Sequence, residues 1–286
     1  MKFKYIVFIF CILFVNAFAQ SPVWKISKNG THLFIAGTIH LLNKDDYPLP
    51  KAFDYAYKRS STIVFEADTN KFSQASFRPL ILRKTLYSKN KTLADYLDNK
   101  TLKELKLYLK KENIPYSNVA KLKPGMLSIT LMMEELKKLS LVGIGVDEFY
   151  SKKATSDKKK IKFLESVFKQ LDFLANMGKN DESAFVKYML KDLNNIEKEF
   201  SLMKKAWRQG DNEALKKVSL DSWKNKFPKL YHSLLIERNK AWLPKIVKML
   251  RNKEVELILF GALHLVGDEG ILELLKEKGY TITNIE

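Results

Sequence analysis

Two apolar runs close on the same pattern near opposite ends of this 286-residue chain. Leu33-Phe-Ile-Ala-Gly-Thr-Ile-His-Leu ends at Leu41, and Leu257-Ile-Leu-Phe-Gly-Ala-Leu-His-Leu ends at Leu265. Short, strongly apolar runs of this kind read as buried strands, and buried strands belong to parallel sheets covered on both faces. One more run, residues 61–65, has the same character and ends at Glu66, and residues 161–164 read as a strand that ends at Glu165. A strand over 23–27, an Asn29-Gly30 hairpin turn and a last strand over 280–285 complete the set.

Helical periodicity fills the intervals. Residues 70–140 read as helical, with Leu102, Leu105 and Leu109 on one face and Pro124 in a first turn. A long helical stretch carries Phe168 to Met177 and then Phe185 to Trp207. Gly210-Asp211 reads as a stop followed by a cap, and helix over about 228–250 has a break or kink expected at Pro244. The expected fold is α/β: a mixed, largely parallel central sheet flanked by helices, with a helical insertion.

The first residues read as a leader rather than as fold. Lys2 and Lys4 precede an apolar run over 5–15, and Ala17-Phe18-Ala19 matches a small-x-small cleavage site. Residues 1–19 are therefore expected to be a signal peptide and 20–286 a single domain, periplasmic or secreted. No stable membrane span is expected after cleavage. Cys11, the only cysteine, leaves with the leader, which removes disulfides, thiol nucleophiles and cysteine ligands from the mature chain. The formal charge is +18 and most of the excess is lysine, without the arginine and aromatic interleaving of nucleic-acid readers. No nucleic-acid partner is expected; the oligomeric state is left open.

In an open α/β sheet, ligands bind beyond the carboxyl ends of the strands. If the four strands that end at these residues run parallel, His40, Glu66, Glu165 and His264 converge on one edge. Two imidazoles with one or two carboxylates suit a divalent metal ion. Gly37 and Gly261 would let backbone or substrate approach closely. A carboxylate placed like Glu66 needs either a cationic partner or a metal. Glu165 opens a helical pattern, so a capping role competes with a role in the site. Arg238-Asn239 lies inside a helical segment; Arg238 could clamp a carboxylate or stabilise an oxyanion. His32 and His232 read as surface residues. His-Glu-x-x-His, Gly-x-Ser-x-Gly and P-loop patterns are missing.

These residues resemble the TraB/GumN family. The likeness runs through Phe34-Ile-Ala-Gly-Thr-Ile-His-Leu-Leu, Tyr47-Pro-Leu-Pro, Val64-Phe-Glu-Ala-Asp, Gly145-Val-Asp-Glu, Phe163-Leu-Glu, Trp207-Arg-Gln-Gly-Asp, Glu237-Arg-Asn-Lys-Ala-Trp and Phe260-Gly-Ala-Leu-His-Leu-Val-Gly. It departs where Phe163 precedes Leu-Glu in place of a glycine, and in the lysine-rich turn at 158–160. The family is related to the Tiki metalloproteases of the erythromycin-esterase and ChaN-like fold group. The resemblance implies metal ligation by His40, Glu66 and His264, with Arg238, Asn239 and Glu165 also at the site. The expected activity is that of a metal-dependent hydrolase, peptidase-like, using manganese, cobalt or zinc on a peptide or small-molecule substrate. Glu165 would serve as base, and Arg238 with Asn239 would stabilise the oxyanion. The rival expectations are a non-catalytic protein that sequesters a peptide or small ligand, and an acid/base enzyme that works without metal.

Overall fold

The structure, a computed structural model, describes residues 20–88, 90–141 and 143–286. The leader expected at 1–19 lies outside the described residues. Those residues form one six-stranded sheet of β1 (Val23–Lys28), β2 (Thr31–Thr38), β3 (Thr62–Phe65), β4 (Lys160–Phe163), β5 (Glu256–Gly261) and β6 (Thr281–Asn284). The order across the sheet is β4-β3-β5-β2-β1-β6. β2, β5, β3 and β4 are parallel neighbours, whereas β1 runs antiparallel to both β2 and β6. The fold is thus α/β with a mixed, largely parallel sheet flanked by helices.

Local chemistry accounts for this topology. Asn29 and Gly30 both take positive φ, 52° and 81°, which is the two-residue turn that joins β1 to β2. Parallel neighbours need long crossovers, and the helical segments between the strands supply them. β5 sits in the interior of the sheet, and its Leu257, Ile258, Leu259 and Phe260 are wholly buried. The register sets Thr38 beside Gly261 and Phe65 beside both Leu259 and Phe163. The residues that follow β2, β3, β4 and β5 therefore emerge along a single edge.

The main core packs Phe53, Trp207, Trp242 and Leu275 around the sheet. A separate apolar cluster, with Leu105, Leu109, Leu127, Leu131 and Phe185, belongs to the helical insertion and unites helices Asn99–Lys111, Pro124–Lys138 and Glu182–Leu193. The helical reading of 70–140 holds with interruptions by short 3-10 turns and loops. Similarly, the long pattern ending at Trp207 divides into Glu182–Leu193 and Ile196–Arg208 at a pair of asparagines, which are weak helix formers. The helix Glu237–Met249 continues through Pro244. Pro244 and Lys240 are both exposed, so the Lys240 carbonyl that proline leaves without its donor is open to water.

Candidate functional site

Arg238 sits at the centre of the converging strand ends. It is 8 % exposed, and its guanidinium makes bonds in three directions. Nη2 donates to Glu66 Oε2 at 2.5 Å and to Glu165 Oε1 at 2.7 Å, and Nε donates to the same Glu165 oxygen at 3.0 Å. Nη1 lies 3.1 Å from His264 Nε2. Its carbon stands 4.6 Å from the Trp242 ring centroid and 5.5 Å from that of Phe173, within cation–π range of both. Arg238 and Trp242 are four residues apart and share a helix face. A π-helical turn, His232–Ile236, immediately precedes them; such turns recur at functional sites.

The buried carboxylates are fully engaged. Glu66 Oε1 accepts from Gly261 N at 2.7 Å, and Oε2 also accepts from Gln170 Nε2 at 3.0 Å. Burial works to raise its pKa, but Arg238, with His264, His40 and the Gly261 N–H, outweighs that and holds it at about 2. Glu165 gives Oε1 to Arg238 and Oε2 to Trp242 Nε1 at 3.1 Å. It therefore anchors the guanidinium from behind.

Each histidine is oriented by an oxygen on Nδ1. Asn239 Nδ2 donates to the carbonyls of His264 (3.2 Å) and Glu269 (2.8 Å), which fixes its amide and turns Oδ1 onto His264 Nδ1 at 2.7 Å. On these partners the His264 proton belongs on Nδ1, and Nε2 carries the lone pair that accepts from Arg238. Burial above all, with Arg238 and His40 adding to it, lowers the His264 pKa to about 3, so the ring is neutral. His40 Nδ1 lies 2.9 Å from Asp147 Oδ2, and Thr38 Oγ1 donates to Asp147 Oδ1 at 2.9 Å. Asp147 raises the His40 pKa to about 9 against the effect of burial. The side chain is nonetheless 70 % exposed, and solvent on its open side tempers the pairing.

Gly261 marks the meeting point. A Cβ there would stand 3.4 Å from Glu66 Oε1, 3.8 Å from His264 Cδ2 and 3.9 Å from His40 Nε2. Gly37 has a different neighbourhood: a Cβ on it would come within 2.7 Å of Leu265 Cδ1 and 3.1 Å of Ala262, so its bareness lets the β5 turn pack on β2. The sheet edge thus gathers His40, Glu66, Glu165 and His264, and the helix above adds Arg238 and Asn239. His32 is half-buried against Phe34, and the exposed His232 pairs with Glu237 at 3.2 Å; neither joins the site.

Sequence reasoning gave no role to Asp147, Trp242 or Gln170. For Asp147 the signal was the preceding Gly143-x-Gly145. A Cβ on Gly145 would lie 2.2 Å from the His40 carbonyl carbon, and one on Gly143 2.0 Å from Leu42 O. Only glycines allow this segment to lie on the end of β2, where Val146 N bonds Ile39 O at 3.0 Å and delivers Asp147 to His40.

Two imidazole Nε2 atoms and a carboxylate match in kind the donors that zinc, manganese and cobalt accept, and both imidazoles have the Nδ1 support usual for metal ligands. As the side chains stand, Arg238 takes Nε2 of His264. No three His, Cys, Asp or Glu side chains among the described residues are gathered at ion-holding spacing. No curated protein matches the chain, and neither does any solved structure. The TraB/PrgY/gumN family model, by contrast, matches residues 22–284, nearly the whole of the described fold with its sheet edge and the helix of Arg238, and the chain belongs to that family.

Proposed function

We propose that this chain is an exported, metal-dependent hydrolase of peptide or related amide or ester bonds, with His40, Glu66 and His264 as donors to one divalent ion. The observation that carries the reading is the pair of imidazoles beside Gly261, each with Nδ1 held by an oxygen, so that Nε2, which in His264 bonds Arg238, is the nitrogen an ion would take. A divalent ion held by these groups supplies an acidified water and polarises a carbonyl. Arg238 and an ion compete for His264 Nε2 and Glu66 Oε2.

The chain's own residues have definite parts in this mechanism. Asp147 holds a His40 proton on Nδ1 and Asn239 does the same for His264, so an ion would take the two Nε2 atoms by displacing the second proton of the His40 imidazolium and the Arg238 bond to His264. Glu165, with both oxygens committed to Arg238 and Trp242, holds the guanidinium rather than taking a proton. Arg238 also lines an open hollow; its five N–H groups are engaged by Glu66, Glu165, His264 and the Leu234 carbonyl, so it acts on charge that develops there through its positive field. Asn239 supports this through His264, not by reaching substrate itself.

Elemental analysis of the purified mature chain tests the reading. About one manganese, cobalt or zinc ion per chain is expected, lost in His40→Ala and in His264→Ala. A wild-type protein that takes up none of the three would sink it. Arg238's existing hold on Glu66 and His264 would then favour a non-catalytic protein that captures a peptide or small ligand. Export rests on the leader read at residues 1–19; mass spectrometry of the protein from culture should give a chain that starts at Gln20.

A further inference from the structure

Arg238 opens onto one end of a larger depression. A hollow of about 300 Å³ is lined by Arg238 together with Lys169, Phe173, Met177 and Leu230. A second hollow, of about 600 Å³, reaches Tyr87, Tyr96, Arg83, Lys123 and Lys179. Asn176 and Met177 line both, so the two adjoin. At the far end the rings of Tyr87 and Tyr96 stack, with centroids 4.2 Å apart and planes 7° apart. The Tyr87 hydroxyl is buried and has no hydrogen-bond partner among the described residues. A buried hydroxyl without a partner is costly, and a ligand acceptor would relieve it.

The charges in the depression are unbalanced. Asp172 is neutralised by Lys84, and Glu237 faces His232. Among the described residues Arg83, Lys123, Lys169 and Lys179 have no acidic partner at ion-pair distance, whereas Glu182 and Glu237 are the lining acids without a lysine or arginine partner, so four free cations face two acids. The near end is apolar through Phe173, Met177 and Leu230, and the far end is aromatic and cationic.

We infer that the two hollows form one trough that holds an extended polypeptide substrate, with apolar side chains beside Arg238 and an acidic stretch at Tyr87, Arg83 and Lys179. This rests on the peptide-hydrolase reading above and gives it a substrate class. An extended chain suits a long trough with distinct lining at its two ends, and charge complementarity selects its acidic part.

Calorimetry with two blocked alanine-based nonapeptides tests the inference. Each carries one phenylalanine, and one has three glutamates where the other has three lysines. The titrations use metal-free protein in chelator, so turnover plays no part. The glutamate peptide is expected to bind about tenfold more tightly at low salt. Arg83→Glu/Lys179→Glu, at two exposed positions, should abolish or invert that preference. Lys248→Glu/Lys253→Glu, an equal change of charge near the opposite end of β5, should leave it intact. Tyr87→Phe should weaken the glutamate peptide about threefold and spare the lysine peptide.

Equal binding of both peptides would overturn the inference. So would a preference that survives Arg83→Glu/Lys179→Glu, or one lost equally in the Lys248/Lys253 control, because the attraction would then be diffuse. An acidic oligosaccharide, oligogalacturonate, that binds where the peptide does not would also overturn it. Metal content is read separately. A chain with one ion and no peptide preference sinks only the trough, whereas a chain without metal that still selects the glutamate peptide sinks only the hydrolase.

Discussion

Replacing Arg238 with methionine should leave Glu66 and Glu165 as two carboxylates in a nearly closed site without a cation. Their side chains are 9 % and 3 % exposed, so water cannot substitute for the guanidinium. Breaking a buried pair by removing one partner costs about 3–5 kcal/mol. The Glu66 pKa gives an independent figure. Its fall from 4.5 to about 2 corresponds to about 3 kcal/mol of stabilisation of the ionised form. Urea denaturation of chelated protein, followed by tryptophan fluorescence, should therefore show Arg238→Met less stable by about 3–5 kcal/mol at pH 7.

The pH dependence separates this cause from lost packing. In the wild type the Glu66 carboxyl has a lowered folded-state pKa. Its contribution is present above 4.5 and lost as pH falls towards about 2. In the variant, burial without a cation raises the folded carboxyl above its unfolded value, so the folded state takes up the proton first. The variant should then gain stability relative to wild type as pH falls from 7 to 5. Glu66→Gln in the same background removes the buried charge and should recover part of the loss, which also covers a single variant too unstable to purify. A penalty below about 1 kcal/mol, or one equal at pH 7 and pH 5, would refute the reasoning.

Three further outcomes can be measured. His264 is neutral in the fold and protonates below 6.5 once unfolded, so stability should fall as pH drops from 6.5 towards about 3; His264→Gln should flatten the upper part of that slope, above the Glu66 window. An NMR titration should find His40 protonating well above 6.5, and Asp147→Asn should return it towards that value; an unchanged titration would remove Asp147 as its partner. Gly145→Ala would force a methyl to within 2.2 Å of the His40 carbonyl, and should cost about 1–3 kcal/mol and weaken metal uptake; a variant of native stability would refute the close approach.

Legibility followed the range of the physics involved. The strands could be read because their signals are local: apolar runs set β2, β3 and β5, and Asn29-Gly30 set the hairpin, whereas the edge strand β4, Lys-Ile-Lys-Phe, alternates and stays half-exposed. The shared edge was one step further, since it required parallel strands, and the helical crossovers between them made that the natural topology. What Glu66 needs could also be read, because an acid directly after Ile63-Val64-Phe65 demands a cation or a metal. The identity of the cation could not. Arg238 lies 172 residues away, and only the packing of its helix over the strand ends brings it to 2.5 Å. Asp147 was obscured for a related reason. An acid in the first turn of a helix already has a sufficient local explanation in the helix dipole. Its bond to His40 depends on two glycines that press one loop against another strand's end, a contact with no periodicity to betray it. The same logic applies to Glu165. Its position at a helix start and at a strand end suggested a cap or a base; the structure adds that Arg238 bonds one of its oxygens and Trp242 the other, an arrangement that belongs to three elements meeting rather than to any one of them.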